Sequence, residues 1–172
     1  EPVYGLNLLA SPRDPLAGAR IGPDDITRVL IELRRRFAWV IVDTPPVLDL
    51  LSMAVLDSAD RTMVVTEAVT PTLLNTASLL RLLEQEGLSG DRLSVVLNRF
   101  SSFEGNLSER TVRERLGRPA DHIVPYDRSF VVSANRGRPL IGQRMAPALQ
   151  VALSSIAEDL IGRQARPQVV AR

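Results

Sequence analysis

Short, continuous apolar runs alternate along the chain with segments whose apolar residues recur every three or four positions. The first pattern is that of a strand buried on both faces, the second that of a helix with one buried side. Val3–Leu9 reads as a strand, closed by the turn-rich Ser11–Pro15. Pro23 opens a helix with Ile26, Val29, Leu30 and Leu33 on one face, and Arg34, Arg35 and Arg36 at its end suit the negative pole of the helix dipole. Trp39–Val42 follows as a strand and Leu48–Leu56 as a short helix. Thr62–Thr66 is a strand, and Pro71–Glu86 is a helix with Leu73, Ala77, Leu80 and Leu83 as its stripe, stopped by Gly87. Leu93–Leu97 is a strand, Ser108 caps a helix reaching Leu116 before Gly117, and Asp121–Val124 is a short strand leading into Pro125. Pro147–Ile161 is the last helix, striped by Leu149, Leu153, Ile156 and Leu160, and the segment after Gly162 is expected to fray. No internal repeat is present.

Strands alternating with helices predict an α/β fold with a mostly parallel, doubly wound sheet. The expected organisation is one domain over residues 1–162 and a flexible tail over 163–172. Ligands of such sheets sit beyond the carboxyl ends of the strands, which points to Asp43, Thr66, Asn98 and the segment Pro125–Asp127.

Composition narrows the chemistry. With 172 residues, 45% hydrophobic and 24% charged, the chain is of globular type and buries about 70% of its unfolded surface. A net charge of +1 gives no overall field favouring nucleic acid or an anionic membrane. Without cysteine there is no disulfide, thiol nucleophile or zinc–thiolate site, and the single His122 reads as an ordinary satisfied histidine. No apolar run has transmembrane length and the start is not a signal peptide, so a cytoplasmic protein is expected. The first residue is Glu rather than Met, which is expected of a fragment.

Phe37–Pro46 reads F-A-W-V-I-V-D-T-P-P, a strand ending on a carboxylate and then turning. Asp43 in that place can hold Mg²⁺ through a bound water, since Mg²⁺ needs only one or two protein carboxylates; the simpler alternative is a turn cap. Asn98 offers a donor and an acceptor to an adenine edge and Arg99 a plane to stack on a base, against the alternative of an ordinary strand-end turn. Pro125 to Asp127 can wrap a base, or Asp127 can simply start the next helix. Arg34–Arg36 reads as a solvated helix end; Arg136 and Arg138 read equally as loop surface or as an anion or partner contact. All 21 basic residues are arginine and no G-x-x-x-x-G-K-[ST] loop exists, so this chain cannot by itself carry out P-loop chemistry.

Taken together, these segments resemble the MinD/ParA-type deviant P-loop ATPases, and most closely their CpaE/TadZ branch. The pieces are F-A-W-V-I-V-D-T-P-P-V-L-D (Phe37–Asp49), L-D-S-A-D-R-T-M-V-V-T-E (Leu56–Glu67) and T-P-T-L-L-N-T-A-S-L-L-R-L-L (Thr70–Leu83). After them come D-R-L-S-V-V-L-N-R-F (Asp91–Phe100), I-V-P-Y-D (Ile123–Asp127) and A-N-R-G-R-P-L (Ala134–Leu140). The resemblance runs from about Tyr4 to Ile161. It implies a P-loop NTPase fold incomplete at its N-terminus, with Asp43 at the Walker B position, Asn98 reading adenine, and Arg99 and Pro125–Asp127 flanking the base. It further implies ATP/ADP and Mg²⁺ as cofactors of the intact protein, a nucleotide-dependent homodimer, and a role with Flp (Tad) pilus secretion and assembly proteins at the inner membrane or cell pole. The family's P-loop, and the central strand before it, lie ahead of the matched region, so the sheet is expected to have an unfilled central place. The bacterial tyrosine kinases share the D-T-P-P strand but are expected to end in a tyrosine-rich tail, and residues 163–172 contain no tyrosine. A non-catalytic scaffold of the same fold is the alternative function. A ParA-like DNA-partitioning protein is the other, disfavoured by the near-neutral charge.

Overall fold

The computed structural model describes residues 5–12, 14–103, 105–140 and 143–164. The chain divides into two compact units, Glu1–Asp60 and Arg61–Arg172.

The first unit holds a short helical turn α1 (Pro15–Gly18), the helix α2 (Pro23–Arg36) and the helix α3 (Leu50–Ser58). Pro23 stands at the first position of α2, where its missing N–H costs nothing, and Asp25 Oδ2 accepts from the Gly22 N–H at 3.0 Å. Asp49 caps α3, its carboxylate accepting from the Ser52 N–H at 2.8 Å. Arg34 ties α2 to the end of α3, donating to the Ser58 carbonyl at 2.7 Å and to Asp60 at 2.8 Å. Arg35 and Arg36 lie exposed beside Glu32, as expected of a solvated helix end.

Two expected strands are corrected. Trp39–Val42 carries no strand ladder, and among residues 5–12 there is none either; the first positions of Val3–Leu9 lie outside the described residues. A strand exists by pairing, and no described segment of this unit offers an edge to pair with. Apolar side chains chosen for two-sided burial are left exposed: Ile41 is 87% and Trp39 46% accessible.

The second unit carries β1 (Thr62–Glu67), β2 (Leu93–Phe100) and β3 (His122–Pro125) as a three-stranded parallel sheet in that order. Its helices are α4 (Thr70–Gln85), α5 (Glu109–Leu116), α6 (Arg128–Asn135) and α7 (Pro147–Gln164). The central strand β2 is buried from Leu93 to Leu97 because both faces are covered. On one face Thr66 of β1 meets Thr76 of α4, their hydroxyls 2.9 Å apart and buried. On the other, Val96 and Val124 pack with Leu149 of α7, flanked by Met63, Leu153 and Ile156. The register fixes this division: Val64 pairs with Val95 and Thr66 with Leu97, whereas Val96 pairs with His122. The sheet is therefore doubly wound, as expected. β1 pairs only with β2, and its other edge bears no strand among the described residues.

Helix ends follow their chemistry. Ser108 accepts from the Thr111 N–H at 3.2 Å, and Gly117 closes α5 with φ +77°, a conformation that favours glycine. Ser108→Ala is expected to lower the stability of this unit by about 1 kcal/mol in urea unfolding; an unchanged midpoint would rule out the cap as a contributor.

Candidate functional site

The carboxyl ends of β1, β2 and β3 bring together Glu67, Asn98, Arg99, Pro125, Tyr126 and Asp127. β1 and β2 are in register to their ends, so Glu67 stands opposite Asn98. β2 runs to Phe100, three residues beyond its expected end, and its pairing with β3 shifts between Leu97 and Phe100. That irregularity is where Arg99 adopts φ +53°, the only left-handed non-glycine residue among those described. Such a backbone costs a long side chain about 1 kcal/mol or more, and strained positions of this kind concentrate at functional sites. The Asn98 side chain supports the bend, its Oδ1 accepting from the Arg99 N–H at 3.0 Å.

Turned this way, the Arg99 guanidinium reaches two neighbours. It lies 3.4 Å from Glu67 Oε1 and 5.8 Å from the centre of the Tyr126 ring, over its face. Tyr126 is itself anchored, its N–H donating to the Phe100 carbonyl at 2.8 Å. The Glu67 and Arg99 side chains are both about half exposed, so the pair adds little stability and acts chiefly to orient. The result is a planar cation and an aromatic ring side by side at the rim of the sheet, with the Asn98 amide next to them.

Asp127 caps α6, accepting from the Ser129 N–H at 2.7 Å. It thus starts the following helix, as one of its two expected readings has it. The Ser129 hydroxyl, and then the Ser129 N–H, hold the Asp127 carboxyl below the ordinary aspartate value. Asp49 is lowered in the same way by the Ser52 N–H and then the Ser52 hydroxyl. A carboxyl whose folded value lies below its unfolded one stabilises the fold above the unfolded value, near about pH 3.9. That contribution is lost as the pH falls through the folded value. In Asp49→Asn/Asp127→Asn, where the caps persist but cannot titrate, stability is expected to decline less steeply with acid below about pH 4. Equal slopes for variant and parent would show that these caps are not linked to protons.

Asp43 lies in the first unit, exposed, between α2 and α3 and outside any helix or strand. Pro125 ends β3 within the site, whereas His122 starts the strand at the opposite end, its Nε2 3.4 Å from Asp159 Oδ2. Arg136 and Arg138 are exposed beyond the end of α6. Two participants were not foreseen. Glu67 falls one residue past the expected end of β1, and its signal was the carboxyl-end rule applied one position too early. Tyr126 was noted only as part of its turn, although an exposed aromatic after a strand is a stacking surface in its own right.

No family model matches the chain. Among curated proteins it is similar to the putative septum site-determining protein MinD of Tupiella akineta, 28% identical over 130 residues, which is 74% of this chain and 42% of that protein. The chain thus spans about half the length of the curated relatives it matches. Among solved structures, a ParA family ATPase from Chlorobium tepidum superimposes with a TM-score of 0.77 at 20% identity, over 87% of this chain and 62% of that one. MinD from Pyrococcus horikoshii, solved as a complex with Mg-ADP, superimposes with a TM-score of 0.71 at 20% identity, over 90% of this chain and 64% of that one. The chain is homologous to MinD and has the α/β parallel-sheet fold of the MinD/ParA P-loop NTPases, over part of their length.

Proposed function

We propose that this chain is the base-binding portion of a MinD/ParA-type ATPase. The observation that carries the reading is the strained Arg99, held beside Glu67 and over Tyr126 at the carboxyl ends of three parallel strands, next to the Asn98 amide. An adenine base fits these residues: Arg99 and Tyr126 offer stacking surfaces and Asn98 a donor–acceptor edge. The triphosphate does not fit this chain by itself. Its 172 residues contain no lysine and no glycine-rich phosphate loop, and backbone N–H cradles of that kind supply most of the affinity for phosphates. No hydrolytic step is therefore assigned to these residues. Asp43 keeps the role of a carboxylate for water-bound Mg²⁺ in the intact protein, on the strength of its D-T-P-P context.

Each unit separately exposes strand-forming surface without a partner, at 37–42 in the first and along the outer edge of β1 in the second. This supports a sheet completed by a segment outside these residues. For the intact protein the proposal is ATP-dependent dimerisation in the manner of the CpaE/TadZ branch, positioning a Flp-type pilus secretion apparatus from the cytoplasmic side of the inner membrane or at the cell pole. It rests on the N-R-F, V-P-Y-D and N-R-G-R-P segments. The base-site reading is tested by adding adenosine to the isotopically labelled chain. Amide shifts confined to Glu67, Asn98, Arg99 and Tyr126 are expected at millimolar nucleoside. Shifts that avoid these residues would refute it.

A further inference from the structure

Helix α6 is built inside out. At about 100° per residue, Arg128, Val131, Val132 and Asn135 share its outward side, and Ser129 and Ser133 its inward side. The accessibilities agree for the outward side and for Ser133: Val131 is 46% and Val132 45% exposed, and Ser133 is 7% exposed, while Phe130 falls at this spacing on the side of the serines and is 37% exposed. A helix that buries Ser133 and shows Val131 and Val132 turns an apolar side to something outside the chain. The next residues are fixed to the end of this helix rather than free. Both Arg136 and Arg138 donate their N–H groups to the Ser133 carbonyl, at 3.2 and 3.1 Å, around Gly137 with φ +58°. The Ser133 hydroxyl in turn donates to the Arg138 carbonyl. Two exposed arginines are thus presented on a rigid turn beside an apolar patch.

Charge says what fits there. The chain as a whole is nearly balanced, at 21 basic and 20 acidic residues. Between Asp127 and Glu158, however, it carries Arg128, Arg136, Arg138 and Arg144 and no carboxylate. A second copy of the same surface would repel itself. A helix that lies on a membrane segregates its basic face from its apolar face, whereas here Arg128 shares the outward side with both valines. Duplex DNA offers phosphates to the arginines but nothing to the valines. Apolar side chains at the centre, with arginines around them, form the pattern of a protein interface.

We propose that α6 and the turn after it dock an acidic, apolar-bearing segment of another protein, independently of the nucleotide reading. The test uses the full chain and two fluorescent helical peptides, one of leucine and glutamate and one with glutamine replacing every glutamate. The glutamate peptide is expected to bind about tenfold more tightly at low salt and to lose that advantage in high salt. Arg136→Glu/Arg138→Glu should abolish the preference, and Val131→Ser/Val132→Ser should weaken binding several-fold with unchanged circular dichroism. Equal binding of the two peptides, or indifference to both variants, would overturn the proposal. So would binding to phosphatidylglycerol vesicles or duplex DNA that the arginine variant abolishes while neither peptide binds.

Discussion

Leu149→Ala is expected to lower the stability of the second unit by about 3 kcal/mol, a large effect for a single change outside the site. Leu149 is fully buried where α7 meets the sheet, packed in one cluster with Val96 of β2 and Val124 of β3. Truncating it leaves a cavity that three elements line, and a parallel sheet covered on both faces has little freedom to collapse into it. Leu73→Ala, at an equally buried position on α4, is expected to cost a similar amount. The measurement is the urea midpoint followed by circular dichroism. A loss below about 1 kcal/mol for Leu149 would mean that α7 does not cover the sheet as described.

Arg99→Gly is expected to separate stability from binding. Glycine relieves the left-handed backbone at φ +53°, so the variant should be no less stable than the parent despite losing the Glu67 and Tyr126 contacts. Binding at the rim should move the other way: adenosine affinity should fall about tenfold, because the stacking cation is gone. Arg99→Lys, which keeps the charge but not the planar fork, should recover only part of it. If Arg99→Gly destabilises the unit by more than about 1 kcal/mol and leaves adenosine binding unchanged, Arg99 is structural and the strain serves packing.

Much of this fold was legible in the chain because its local signals agree with its packing. The stripe Leu73, Ala77, Leu80 and Leu83 becomes the buried side of α4, and Ser108 and Gly117 bound α5 as their chemistry requires. The sites of disagreement are informative. Trp39–Val42 has the composition of a buried strand, yet composition cannot supply a neighbour, and without one the run stays unpaired and exposed. A helix after Asp127 was legible only from its cap, because its inward positions include Ser129 and Ser133, and periodicity looks for apolar residues turned inward.

The site was legible by position and not by geometry. The rule that ligands gather at the carboxyl ends of parallel strands pointed to Asp43, Thr66, Asn98 and Pro125–Asp127, with Arg99 next to Asn98. It could not show that β2 continues to Phe100, so it placed Arg99 in a loop rather than in an irregular strand end. It also missed Glu67, whose meaning comes only from standing opposite Asn98 in the register. Asp127 was ambiguous for a physical reason, since an aspartate after a strand serves a helix cap and a ligand equally well; the structure shows the cap.

The account rests on a division of labour, in which these residues hold the base and a phosphate loop from outside the 172 residues holds the rest. Its most direct test is calorimetric titration of MgATP into the 172-residue chain and into the same chain extended through its natural upstream sequence. The account predicts millimolar or weaker binding by the chain alone, and binding tighter by about a hundredfold or more once a phosphate loop is restored. Micromolar binding by the 172-residue chain alone would contradict it.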